Sequence, residues 1–155
     1  MARAAAVLRA ARPEDIVEAA EKVVARTREL EDELRALRAA DARGRATSLA
    51  ATALDGVVVA RVDGLDAGEL KDLAVAVRDA GPVAVVLGGS PSGDGAALVA
   101  VVAKDSGRHA GELIAEPART LGGGAGRQPD IATAGGKRAD RIDDALQQVR
   151  ASLGV

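Results

Sequence analysis

The chain has 155 residues and a formal net charge of −2, with no cysteine, no aromatic residue and a single histidine. These absences exclude disulfides, thiolate metal sites and the aromatic base-stacking platforms of RNA-recognition motifs and OB-folds. One histidine cannot build a histidine-based zinc site by itself, and the near-neutral charge argues against nonspecific nucleic-acid binding. We expect a cytoplasmic protein, because no apolar run approaches the ~20 residues of a membrane span or the length of a signal-peptide core.

A long helix is predicted for residues 14–43, within a helical segment that we place at residues 1–45. Pro13 and the acidic residues after it are typical of a helix start, and Gly44 is typical of a helix end. Within the helix, small and apolar residues recur with the spacing of coiled-coil a and d positions. They are Ile16, Ala20, Val23, Thr27, Leu30, Leu34 and Leu37.

This heptad seam needs a partner, because Ala20 and Thr27 fill little volume while the other helix faces are charged. Three partners remain open at this stage. The first is a second copy of the chain, which would make a homodimer through helix 14–43. The others are a short helix around residues 3–10 and the body of a larger protein.

Residues 46–155 are predicted to form a globular domain of the α/β class. Strands are predicted at residues 56–62, 83–87, 97–103 and 130–134, and helices after Asp66, over 108–121 and over 139–153. Asp66 and Glu69 have the spacing of a capping box, and the glycines of residues 88–95 predict a hairpin turn. The order β-α-β-β-α-β-α makes the first two strands parallel and the next two antiparallel, which predicts a mixed sheet in a two-layer domain.

Residues 122–130 are the stretch best suited to binding, since four of the five positions from 122 to 126 are glycine. Such a run is costly in entropy unless the backbone must approach something closely. Its N–H groups are suited to an anion-binding nest, and Arg127 adds a phosphate donor. Residues 134–138 repeat the pattern just before the last helix, where phosphate is favoured. The alternative interpretation is a flexible connector.

Two stretches carry a recognisable motif, HAGELI at 109–114 and LGGGAGRQPDIATAGGK at 121–137. Together they resemble the end of bacterial alanyl-tRNA synthetases. At the second stretch the family has a glycine-rich run, a basic residue, Pro-Asp, an apolar residue and Ala-Gln-Ala-Gly-Gly. This DHH-associated type of domain is shared with DHH phosphoesterases. The heptad helix also resembles the family's linker helix and residues 59–66 its first C-terminal strand and turn, so the resemblance covers about residues 8–155.

The resemblance implies a domain that contacts the elbow of a tRNA, expected to be tRNA-Ala, and that supports aminoacylation and editing. The motif positions and their basic neighbours give the implied nucleic-acid-binding residues. They are Arg108, His109, Gly122, Gly123, Gly124, Gly126, Arg127, Gln128, Asp130, Gly135, Gly136, Lys137 and Arg138. The sequence departs from the family pattern in four places. Ala125 and Arg127 stand where glycine is usual, Gln128 where a basic residue is usual and Thr133 where glutamine is usual.

We expect no catalytic centre and no cofactor in these 155 residues. The aminoacylation domain has no room here, the His and Cys zinc ligands of the editing domain are missing, and the Asp-His-His motif of the phosphoesterases is absent. The favoured function is therefore a tRNA-binding domain of an alanine–tRNA ligase. The alternatives are a coiled-coil oligomerisation module with a vestigial nucleic-acid-binding loop, and the accessory domain of a nuclease.

Overall fold

The computed structural model describes residues 13–155, which divide into two compact units at residues 13–41 and 42–155. The short helix expected around residues 3–10 lies outside the described residues. None of the helices between residues 13 and 155 combines the length and the hydrophobicity that a membrane span requires.

The long helix, α1, runs over Pro13–Ala50, so the prediction that it ends at Gly44 is wrong. A glycine inside a helix costs about 1 kcal/mol relative to alanine. Here the helix continues because its last turns pack on the globular unit. Ala46 is buried in the core there, and Leu49 and Ala50 pack against the same cluster.

The globular unit is built on a mixed sheet, as predicted, but with five strands instead of the four that the sequence indicated. Its strands are β1 (Val57–Arg61), β2 (Ala84–Gly89), β3 (Ala96–Val102), β4 (Gly124–Ala125) and β5 (Ile131–Gly136), in the order β1-β2-β3-β5-β4. β1 and β2 are parallel, and every other neighbouring pair is antiparallel. The three helices of this unit are α2 (Ala67–Asp79), α3 (Ala110–Thr120) and α4 (Ile142–Leu153).

Helices cover both faces of the sheet, so the domain has three layers rather than the predicted two. Alternate residues of β2 and β3 point to opposite sides. Val85 and Val99 belong to a core cluster with α2, whereas Val86 and Leu98 belong to a cluster with α3 and α4. Strands that are buried on both faces are apolar throughout, which explains why β2 and β3 are apolar at almost every position.

Two glycines of the predicted hairpin turn, Gly88 and Gly89, belong to β2 instead, and the turn is confined to residues 90–95. A Cβ atom on Gly89 would overlap the carbonyl group of Val62. Gly89 therefore allows two backbone segments to meet, which is a contact that no local sequence pattern reveals.

The capping box of α2 is present as predicted. The Asp66 side chain accepts a hydrogen bond from the Glu69 N–H at 2.8 Å, and the Glu69 side chain accepts one from the Asp66 N–H at 3.1 Å. α3 runs without interruption through Pro117, which is buried in its last turn.

Candidate nucleic-acid interface

The glycine-rich segment forms the edge of the sheet rather than a connector. In the antiparallel β4–β5 pair, Gly124 lies opposite Gly135 and Ala125 opposite Ala134. The Gly126 N–H then donates to the Thr133 carbonyl at 2.9 Å. The sequence pattern did not predict β4, because strand propensity is low for glycine.

Three of the glycines are required by the fold itself. Gly122 comes directly after Leu121, the C-cap of α3, and has a φ of +80°. A Cβ atom at Gly123 would overlap the Gly135 carbonyl, and one at Gly136 would overlap the Leu121 carbonyl. The Gly123 N–H donates to the Ala118 carbonyl at 3.0 Å, so this amide already has a partner within the domain.

Three other glycines have no such requirement. A Cβ atom at Gly124 would meet nothing within 4 Å, and at Gly126 and Gly135 its nearest contact would be an ordinary one at 3.6 Å. None of the three has a positive φ. Glycine at such positions is typical of a surface that a ligand's backbone approaches closely.

These three glycines and Thr133 lie on one side of the sheet edge, and we call this surface the open face. All four residues are exposed, whereas Ala132 and Ala134, which alternate with them along β5, are buried on the other side. Since α2 covers β2 and β3 but leaves the β5–β4 edge uncovered, the open face is accessible beside that helix.

Two shallow depressions lie on this side of the sheet. One, of about 340 Å³, is bounded by Pro91, Ala97, Gly124 and Gly135 among others. The second, of about 360 Å³, is lined by Lys71, Gly126, Arg127, Gln128, Ile131, Ala132 and Thr133. Lys71 comes from α2 and was not among the residues that the sequence indicated.

The first N–H groups of α3, which lie beside the motif, already donate hydrogen bonds within the protein. The Ala110 N–H donates to the Pro129 carbonyl at 2.8 Å and the Gly111 N–H to the Gln128 carbonyl at 3.1 Å. These amides of α3 are therefore satisfied by the glycine-rich segment. His109 precedes them without capping the helix, and its Nδ1 atom is buried without a hydrogen-bond partner. Arg108 is exposed next to it.

The remaining basic candidates lie at the C-terminal end of β5, away from Arg127, which lies beside the first half of the strand. Lys137 and Arg138 directly follow the strand, and the Arg138 side chain lies against Gly122. With six residues in β5, the two ends are separated by about 20 Å. Asp130 is half-buried before the strand, and its carbonyl accepts from the Val102 N–H at 2.9 Å. The predicted residues thus form two basic groups rather than one.

Several cations of the globular unit are neutralised within the chain. Arg61 pairs with Asp63 at 2.9 Å and Asp143 at 2.8 Å, and Arg141 pairs with Asp144 at 2.8 Å. The hydrogen bond from Arg61 to Asp63 raises the pKa of the Arg61 guanidinium, and the Asp144 pairing raises the pKa of Arg141. By contrast, no ion pair within residues 13–155 involves the charged groups that flank the open face. They are Lys71 and Arg127 at one end, and Lys137 and Arg138 at the other.

A second hydrogen-bonded network holds the scaffold next to this surface. The Ser90 N–H donates to Asp63 at 2.9 Å, and this bond lowers the pKa of the Asp63 carboxyl from its ordinary 3.8. This hydrogen bond connects the turn before α2 with the turn after β2. In the described part of the chain, no three His, Asp or Glu side chains are grouped as a metal site would require.

Fold and surface together define a class of protein, a small three-layer α/β domain whose mixed sheet ends in a glycine-rich edge. RecJ from Thermus thermophilus, solved with Mn²⁺, has a similar fold, with a TM-score of 0.60 at 15% identity over 79% of this chain and 18% of that one. The DHHA1 domain family matches residues 54–154, and the chain belongs to this family.

The chain is also similar to alanyl-tRNA synthetases, as its motif indicated. The C-Ala domain of the Aquifex aeolicus enzyme is 27% identical with a TM-score of 0.57, and the match covers 64% of this chain and 91% of that domain. The alanine–tRNA ligases of Thermobifida fusca and Acidothermus cellulolyticus are 39% and 40% identical over 88% and 85% of this chain. This chain spans 16% of the length of each of these two ligases. The resemblance inferred from residues 109–137 is confirmed.

Proposed function

We propose that the chain is a non-catalytic RNA-binding domain of an alanine–tRNA ligase, acting in translation in the cytoplasm. Its open face binds the elbow of tRNA-Ala, so that aminoacylation and editing act on one tRNA. Binding of this kind depends on the shape and the phosphates of the RNA rather than on its bases, since the chain has no aromatic residue to stack on them.

The proposal rests on a group of glycines for which neither backbone conformation nor packing within the fold requires glycine. Gly124, Gly126 and Gly135 lie together on one exposed surface, and nothing inside the protein occupies the space where a Cβ atom of Gly124 would be. Arg127 follows directly and has no ion-pair partner among the described residues. A glycine-rich strand edge beside an unpaired guanidinium suits the close approach of a nucleic-acid backbone.

Fluorescence anisotropy with labelled tRNA-Ala tests this function, with a single-stranded RNA of equal length as competitor and two salt concentrations. The charge-reversal variant Arg127→Glu/Lys137→Glu removes one cation from each basic group. We expect the wild-type chain to prefer the folded tRNA and the variant to lose that preference. The control with the same change in net charge is Arg78→Glu/Lys104→Glu, since Arg78 pairs with the adjacent Asp79 and Lys104 lies in a short 3₁₀ turn that lines neither depression.

Two outcomes would contradict RNA binding by the open face. One is the absence of binding to tRNA at tens of micromolar protein. The other is an equal loss of affinity in the Arg78→Glu/Lys104→Glu control, which would assign the effect to overall charge rather than to this surface.

A second function, self-association, is favoured by an observation on α1. Its d-position side chains are exposed in the single chain, with Ile16 44%, Leu30 48% and Leu37 69% accessible. A stripe of large apolar side chains along one helix face is typical of a surface that a partner covers. We propose that two copies pair through this helix while the globular units bind RNA.

The charges beside the stripe favour a parallel, in-register pair. In that arrangement each g-position residue meets the e-position residue five places later in the partner. Arg26 then faces the partner's Glu31, and Glu33 faces the partner's Arg38. Both contacts join opposite charges and both occur twice by symmetry. An antiparallel pair with the same seam retains only contacts between Arg26 and the partner's Glu33.

A further inference from the structure

We propose that Lys71 binds a phosphate of the RNA strand that lies on the open face, opposite Arg127. This inference rests on the proposed RNA-binding function and adds a residue from a different element. Lys71 is separated from the glycine-rich motif by about fifty positions in sequence. Only the fold, which packs α2 on the sheet next to β5, brings it to this site.

Lys71 lies in a depression whose polar side chains are hydrogen-bond donors. Lys71 and Arg127 both line the depression of about 360 Å³, together with Gln128 and Thr133. This set offers two cations, an amide and a hydroxyl, and it includes no carboxylate. Such a depression is suited to an anion whose oxygens accept several hydrogen bonds.

Lys71 also lacks a partner within the described chain. On a helix, a lysine is commonly paired with an acidic residue three or four positions away. Those positions around Lys71 are Ala67, Gly68, Ala74 and Val75, so none of them supplies a carboxylate. No ion pair or hydrogen bond to its side chain occurs within residues 13–155 either. The ammonium group is therefore available to bind a ligand, unlike the cations of the globular unit that form ion pairs.

The surface at the base of this depression favours a polymer strand as the ligand. Gly126 and Thr133 are exposed in the same depression, and Gly124 and Gly135 extend this glycine-rich surface beyond it into the neighbouring depression. A continuous track of this kind accommodates a ribose–phosphate backbone, whereas a single small anion would contact only the end that carries Lys71 and Arg127. The geometry therefore points to a phosphodiester of a bound RNA strand.

The test compares Lys71→Gln with Lys104→Gln in the complete chain, using anisotropy with labelled tRNA-Ala over a series of salt concentrations. Lys104 is another exposed lysine, which lies in a short 3₁₀ turn and lines neither depression. Removal of one phosphate contact is expected to weaken binding by about five- to eightfold at about 0.1 M salt and to reduce the slope of log K against log salt by about 0.7–0.9. Lys104→Gln is expected to change neither quantity, and Lys71→Arg is expected to retain most of the affinity.

The outcomes separate this inference from the function on which it rests. If Arg127→Gln weakens binding while Lys71→Gln does not, the role of Lys71 is refuted and the RNA-binding function stands. If the wild-type chain does not bind tRNA at all, both fail together. If sodium phosphate displaces the RNA far better than sodium chloride of equal ionic strength, the site is one for free phosphate and the strand assignment is wrong. Circular dichroism of each variant confirms that the fold is retained.

Discussion

Gly123 packs against the carbonyl group of Gly135 so closely that no side chain fits between them, while its neighbour Gly124 faces open space. Two consecutive glycines thus serve different purposes. The first joins the end of α3 to the sheet edge, and the second adds no side chain to the open face. The same contrast separates Gly136, which meets the Leu121 carbonyl, from Gly135.

Substitution of Gly123 by alanine is expected to destabilise the domain. The new methyl group must displace the Gly135 carbonyl and with it the β4–β5 pairing, and overpacking of this kind costs about 1–3 kcal/mol. Gly124→Ala is the matched control, and its free energy of unfolding should stay the same or rise by less than about 1 kcal/mol. Urea unfolding curves measure both, and equal stability of the two variants would contradict the assignment.

Substitution of Gly124 by valine is expected to act on binding instead of stability. A valine side chain at this position meets no protein atom where its Cβ begins, and it suits a strand better than glycine does. It also projects over the open face, where it would keep a nucleic-acid backbone away. We expect an unfolding midpoint that is unchanged or slightly higher and a several-fold weaker affinity for tRNA-Ala. Unchanged affinity would show that the RNA does not lie on Gly124.

The elements with local signals were predictable from the sequence. The capping box of α2 is evident from Asp66 and Glu69, which are three residues apart, and the apolar runs of β2 and β3 identify buried strands without reference to the rest of the chain. The motif of residues 121–137 likewise indicated the family, because its glycines and Pro-Asp lie in one continuous stretch.

The features that escaped prediction depend on contacts between distant residues. Gly44 is a helix terminator by local rules, yet α1 continues because Ala46 is buried against the globular unit. β4 consists of two residues with low strand propensity and exists because β5 pairs with it. No local sequence pattern marks Lys71 as a binding residue. It became part of the candidate site only when the fold placed α2 beside Arg127.

The Asp63 network predicts an acid-sensitive contribution to stability. Ser90 and Arg61 hydrogen-bond the ionised carboxyl, so its pKa in the folded state lies below the ordinary 3.8. A depressed carboxyl pKa adds stability that is fully present above the unfolded pKa and is lost as pH falls through the folded pKa. We therefore expect the wild type and Asp63→Asn to differ most near neutral pH and to converge below about pH 3.

Thermal unfolding between neutral pH and about pH 2 to 3 measures this convergence. Asp94→Asn is the control, because Asp94 lies in the neighbouring turn and accepts no hydrogen bond in the described structure. A constant difference between Asp63→Asn and the wild type across the whole pH range would mean that the carboxyl charge is not the stabilising feature.

Pairing of α1 can be tested through its flanking charges without removing the apolar stripe. Glu33→Arg places a positive charge opposite the partner's Arg38 in a parallel pair and should weaken the dimer. Adding Arg38→Glu restores opposite charges in that arrangement and should recover it. In the antiparallel pair Glu33 faces the partner's Arg26, so the second substitution would not rescue the first. Sedimentation equilibrium of the three proteins distinguishes these cases. Glu21→Arg, on the outer side of the helix, makes the same change in charge as Glu33→Arg and is the control for charge alone. A wild-type chain that remains monomeric at high micromolar concentration would refute the pairing itself.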